Sequence, residues 1–99
     1  MSDNFFVYIT TNPGKSTLYT GMTNSLLTRM MQHYENRGSG DSFAGRYYCY
    51  NLIYFERFTD PNSAIEREKE IKDMSRKEKI ALIESENPKW TFYRWEELD

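Results

Sequence analysis

Phe5-Phe6-Val7-Tyr8-Ile9-Thr10-Thr11-Asn12-Pro13-Gly14-Lys15-Ser16-Thr17-Leu18-Tyr19-Thr20-Gly21 is the stretch that decides the fold. Phe5 to Thr10 is a short aromatic and β-branched run, and Thr17 to Gly21 is a second one. Between them, Asn12-Pro13-Gly14 carries the residue types that turn a chain back on itself. The three pieces read as a β-hairpin.

Working outward, Thr23 or Asn24 is placed to cap a helix running to about Asn36. Arg37 to Arg46 holds three glycines and two serines and reads as a flexible connector. It is not a phosphate-binding loop, because it lacks the Gly-Lys-Ser/Thr ending and no helix follows directly. Tyr47 to Phe58 reads as a long strand. It is apolar on both faces around Leu52, Ile53, Tyr54 and Phe55, the pattern of a central strand covered on both sides. Asp60-Pro61 opens a helix to about Met74, with Asp at the cap and Pro at the first position. Ser75-Arg76-Lys77-Glu78 is a capping box that starts a further helix to about Glu84. Asn87-Pro88 ends it. The coarse order is ββαβαα, and the fold class is α/β in the α+β sense: a three-stranded, largely antiparallel sheet flanked by helices.

The 99 residues are enough for one domain, 1–99. Residues 87–99 form an aromatic, acidic C-terminal segment. Trp90, Phe92, Tyr93 and Trp95 in it are expected to pack back on the domain or on a partner. Hydrophobic residues make up only 38%, but aromatics reach 16%, so large rings supply much of the core area. The single cysteine, Cys49, excludes an internal disulfide, and with one histidine it excludes a Cys/His zinc site. No stretch approaches a membrane span. Met1-Ser2-Asp3-Asn4 has no basic start or cleavage site, so no signal peptide and cytoplasmic residence are the expectations. The net charge is −2. Residues 84–99 hold five acids and two bases, which leaves the body close to neutral. That balance argues against strong non-specific nucleic-acid binding, which feeds on Lys and Arg contacts to phosphate.

Four features carry chemistry. On the first helix, Leu26, Leu27, Met30, Met31 and Tyr34 make the apolar arc. Arg29 and His33 share a face at its border. Arg29 is either held there to meet an anion or packs its stem on the core. On the Pro61 helix, Ala64, Ile65 and Ile71 make the apolar arc and Glu68 falls inside it. Glu66, Glu70 and Asp73 face away. An inward carboxylate needs a partner. Lys72 one turn on, or a cation, would supply it. Lys72, Arg76, Lys77 and Lys79 gather at a helix junction as a solvated face or a phosphate-contact patch. With Arg46, the residues Lys72, Arg76 and Lys77 are the candidate nucleic-acid contacts. Tyr8 and Tyr19 lie eleven residues apart on the two hairpin strands and, by themselves, read as cross-strand aromatics.

Taken in order, these pieces resemble the GIY-YIG nuclease superfamily. Phe6-Val7-Tyr8 and Tyr19-Thr20-Gly21 resemble its two strand motifs. Arg29 sits where the family has its helix arginine. Arg29-Met30-Met31-Gln32-His33 matches the Arg-x-x-x-His form of small members. Ala64 to Lys72 resembles the helix carrying the family's metal-binding glutamate, which maps to Glu68. Ser75 to Trp90 resembles the ending of small single-domain bacterial members, similar to the N-terminal nuclease domain of the excision-repair enzyme. The likeness spans roughly residues 5–90.

The resemblance implies an endonuclease that hydrolyses nucleic-acid phosphodiester bonds, in DNA repair or recombination, with Mg²⁺ or Mn²⁺ on Glu68. It implies catalytic roles for Tyr8, Tyr19, Arg29, His33 and Glu68, and nucleic acid as partner, DNA ahead of RNA. A protein partner or a homodimer is a further candidate. The alternative is a non-catalytic nucleic-acid- or protein-binding module of the same fold. Two departures bear on the choice: Phe6 replaces the first motif's glycine, and Met22 stands where excision-repair members carry a lysine.

Overall fold

The structure, a computed structural model, describes residues 4–98. The reading of Met1, Ser2 and Asp3 as no signal peptide, and the last acid Asp99, lie outside the described residues. β1 (Phe5–Thr11) and β2 (Leu18–Thr23) form the expected hairpin. Asn12 locks its turn: the side-chain oxygen accepts from the Ser16 and Thr17 N–H groups at 2.8 and 3.0 Å. β3 (Asn51–Phe58) returns antiparallel to β1, so the strand order is β2-β1-β3. The sheet is three-stranded and antiparallel, as expected.

β1 is the central strand, which corrects the reading of β3 as central. Val7, Tyr8 and Ile9 are completely buried. Leu52, Ile53 and Tyr54 of β3 are buried too. An apolar run covered on both faces therefore does not distinguish a central strand from an outer one.

The connector 37–46 is also corrected. It contains a one-turn helix, α2 (Phe43–Arg46), so the order is ββααβαα. Ser42 caps that turn by accepting from Gly45 N at 3.1 Å. Gly38 N donates to Gly45 O at 2.8 Å. A Cβ on Gly45 would lie 2.7 Å from Asn36 O and 2.8 Å from Ser39 O, so only glycine fits this close approach. Tyr48, at φ 59°, turns the chain, and β3 starts at Asn51 instead of Tyr47.

Helix α1 (Leu26–Glu35) is capped by Ser25, one residue beyond the expected Thr23 or Asn24. The Thr23 hydroxyl instead accepts from Ser25 N at 3.1 Å and so fixes the cap. Helix α3 (Pro61–Lys72) keeps the Asp60 cap with Pro in the first turn, and α4 (Arg76–Glu86) keeps its capping box.

Alternation along β1 divides the core. Phe6 and Tyr8 meet Leu26 and Met30 of α1 and Leu52 on one face. Val7 and Ile9 meet Ala64 and Ile71 of α3 and Ile83 of α4 on the other. The aromatic segment packs back on the domain. Trp90 and Phe92 join the α3/α4 side, and Tyr93 and Leu98 join the α1 side. Tyr93 N donates to Leu52 O at 2.9 Å.

Asn87 closes the same region. The β1–β3 register shifts so that Ile9 faces Tyr54 and Thr10 faces Leu52, leaving Ile53 at a bulge. Asn87 Nδ2 donates to the Ile53 carbonyl at 2.8 Å and to Thr91 O at 2.9 Å, while its Oδ1 accepts from Thr91 N at 3.0 Å.

Candidate active site

The site is built on the middle of β1. Tyr8 stands opposite Gly21 of β2, and Thr10 stands opposite Tyr19. Tyr8 and Tyr19 are therefore diagonal neighbours on one face. Their ring centroids are 6.3 Å apart. Gly21 makes room for this arrangement: a Cβ there would lie 2.4 Å from Tyr8 Oη. Helix α1 lies over the same face and brings His33 down, with Nε2 2.8 Å from Tyr8 Oη. The His33 ring also packs edge-on to Tyr19 at 5.5 Å.

The charges converge on the same phenol. Burial pushes the Tyr8 hydroxyl well above the usual tyrosine range. Tyr19 and Glu68 add to that rise, whereas the Arg29 guanidinium opposes it through charge and a hydrogen bond. His33 is held down to about 4, by burial first and by Arg29 second. Near neutral pH the site therefore holds a protonated phenol beside a neutral imidazole. Arg29, read from sequence as either an anion contact or a packing residue, faces the site.

Glu68 is half-buried and bonds Lys72 Nζ at 3.3 Å, the pairing weighed from sequence. It is not spent there alone, since its charge reaches Tyr8. Among the described residues no three His, Cys, Asp or Glu side chains gather into a metal cage. One carboxylate at 22% side-chain exposure suits a hard cation that takes its other ligands from water and phosphate. The residues present fit such an ion.

The remaining candidate contacts are dispersed. Arg46 donates to Gly40 O and Arg76 to Ser16 O, both at 2.9 Å. Lys77 is exposed on α4. Of these cations, Lys72 is the one ion-paired to a residue of the site.

Sequence reasoning missed a second network. Arg67 grips Glu56 of β3 through two bonds of 2.9 Å. It also contacts Glu70, and the Tyr54 hydroxyl donates to Glu56. Burial alone would raise the Glu56 carboxyl, but Arg67 and Tyr54 bring it below the ordinary range. Ile65, expected in the apolar arc, is exposed instead, and Arg67 turns inward. The available signal was Glu56 itself, a lone acid inside an apolar strand. Pinning α3 to β3 at Arg67 fixes the helix one residue before Glu68.

Comparison with known proteins fits this geometry. The family profile described as GIY-YIG catalytic domain matches residues 4–81. The UPF0213 protein of Clostridium perfringens (strain 13 / Type A) is 37% identical over 91 residues, covering 92% of this chain and 95% of that protein. The UPF0213 protein of Natronomonas pharaonis is 33% identical over 86 residues, covering 87% and 98%. The solution NMR structure of a UPF0213 protein from Bacillus halodurans matches with a TM-score of 0.56 at 25% identity, over 88% of this chain and 89% of that one.

Proposed function

The chain belongs to the GIY-YIG catalytic-domain family, a nuclease superfamily, and on that premise we propose that it is a metal-dependent endonuclease that hydrolyses nucleic-acid phosphodiester bonds. DNA is the expected substrate ahead of RNA, in repair or recombination, and Mg²⁺ or Mn²⁺ the expected ion. One observation carries the reading: a single buried phenol, Tyr8, is bonded to His33 and feels Tyr19, Arg29 and Glu68 at once.

The roles follow from the chemistry. The Tyr8 hydroxyl orients the attacking water and takes its proton. It can do so only by passing its own proton on, because burial opposes a free phenolate. The neutral imidazole of His33, within hydrogen-bond reach, receives that proton. Tyr19 packs against both rings and holds their spacing. Arg29 stabilises the phenol's developing charge and the extra negative charge of the phosphorus transition state. Glu68 would hold the divalent cation, which would supply charge neutralisation at the phosphate and the leaving oxygen. Arg46, Lys72, Arg76 and Lys77 remain the proposed outer contacts to the nucleic-acid backbone.

The test is Mg²⁺- or Mn²⁺-dependent nicking by wild type, Glu68→Gln and Arg29→Ala. Each variant should lose about a hundredfold or more in rate. If both cut as fast as wild type, the assignment fails. A second reading, a non-catalytic binding module, is favoured by the net charge of −2 and by Met22, which packs into the α3/α4 core instead of offering a cation. Tight binding of nucleic acid by wild type with no cutting of any substrate would select it.

A further inference from the structure

The site does not end at Tyr19. Phe43 of α2 lies nearly parallel to the Tyr19 ring, with centroids 6.3 Å apart and planes at 23°. Tyr47 follows at 4.7 Å from Phe43. The three rings form a continuous row leading away from the Tyr8–His33 pair. Its outer members are open to solvent: Phe43 is 50% and Tyr47 45% exposed. Two adjoining exposed rings make a contiguous apolar patch, the kind of surface that marks an interaction site.

The turn that carries the rings is built stiffly. Ser42 caps it, Gly38 N is bonded to Gly45 O, and Arg46 reaches back to Gly40 O. Cys49 N is tied to Ala44 O at 2.8 Å, with Ala44 and Cys49 buried beneath. The rings are thus held outward on fixed backbone and not splayed by a loose loop.

From this row we infer that Phe43 and Tyr47 are a base-stacking platform that grips an unpaired nucleotide flanking the phosphodiester presented to Tyr8. The inference rests on the nuclease-type reading of the site and adds to it the substrate class. Its logic is electrostatic as well as geometric. Counterion release scales with the cations that reach phosphate, and the four proposed contacts are dispersed over a chain of net charge −2, so another source of affinity for a polyanion is needed. Aromatic stacking supplies one that does not depend on charge, and it tolerates any base. Bases inside a duplex present their faces to each other, so only an unpaired base can lie on Phe43. Single strands, flaps and gaps are therefore the substrates that this face accepts.

The experiment measures binding without cleavage, by fluorescence anisotropy in EDTA. The probes are an end-labelled oligothymidylate, the same sugar-phosphate chain without bases, and a blunt duplex. Wild type should bind oligothymidylate about tenfold or more tighter than either other probe. Phe43→Ala and Tyr47→Ala should each lose most of that preference, and Phe43→Trp should keep it. Both positions are exposed, so the fold survives the changes.

Equal binding of the base-bearing and base-free strands overturns the platform, as does a duplex bound as tightly or no binding at all. A variant that binds normally but shifts the protein's self-association also overturns it, because the rings would then serve a second copy of the chain. Nicking assays on the same variants separate the two ideas. Cleavage that is indifferent to Phe43 leaves the nuclease reading standing and removes the platform. Stacking-dependent binding without cleavage does the reverse.

Discussion

Tyr8 Oη and His33 Nε2 are 2.8 Å apart, one on the central strand and the other on the helix that covers it. Burial first and the Arg29 charge second hold that imidazole near 4 instead of the ordinary 6.5. The folded-state value is depressed, so between 6.5 and about 4 the unfolded chain binds the proton first. The His33 contribution to stability is thus complete above 6.5 and lost as pH falls toward 4. In the upper part of that window, wild-type Tm should fall more steeply than that of His33→Gln. NMR of the ring gives the midpoint directly, and a value near 6.5 would show that burial and Arg29 do not depress it.

Gly21→Ala should damage the site out of proportion to its size. The new Cβ would meet Tyr8 Oη at 2.4 Å and Cζ at 2.5 Å, inside a hydrogen-bonded strand pair. Overpacking of this kind costs about 1–3 kcal/mol. Urea unfolding should register that loss. Cleavage should drop much further, since the phenol must leave His33 to relieve the clash. Full activity in Gly21→Ala would show that Tyr8's position is not critical.

Asn87→Ala should cost about 2 kcal/mol or more, because the bulge carbonyl of Ile53 and two Thr91 backbone groups lose their partner together. Asn87's side-chain bonds go to Ile53 and Thr91 and to none of the site residues, so cleavage per folded molecule should be unaltered. A stability loss under about half a kcal/mol would mean that water replaces the amide without penalty.

How much of this was legible in the sequence depends on the range of the interactions. The hairpin, the Asp60-Pro61 start and the Ser75 capping box are local signals, and each appears in the structure. Glu68 stood out by its place in the apolar arc, Arg29 and His33 by its border, and Tyr8 and Tyr19 by the motif likeness; in the fold Tyr8 bonds His33, lies beside Tyr19 and feels the charges of Arg29 and Glu68. The centrality of β1 was not legible, because burial on both faces looks the same in an outer strand that helices and the aromatic segment also cover. Nor was the Arg67–Glu56 clamp, which requires knowing that Glu56 lies opposite Val7 and faces α3. Phe43 sat in a stretch whose glycines suggested looseness, and Tyr47 was read as the start of the next strand. Gly45 is there for the opposite reason, to let α2 pack against Asn36 and Ser39.

The bond from Tyr93 N to Leu52 O has a consequence for the life of the chain. β3 has a strand neighbour on one side only, and an outer strand this apolar is an invitation to polymerise with another molecule. Residues 87–98 cover part of that edge from within, through this bond and the Asn87 bond to Ile53 O. Until they have been synthesised and docked, a nascent domain carries an open strand that any like chain can extend. Truncation before Asn87 should therefore yield aggregates, not a smaller soluble domain, and the segment serves as the protein's own guard against strand exchange.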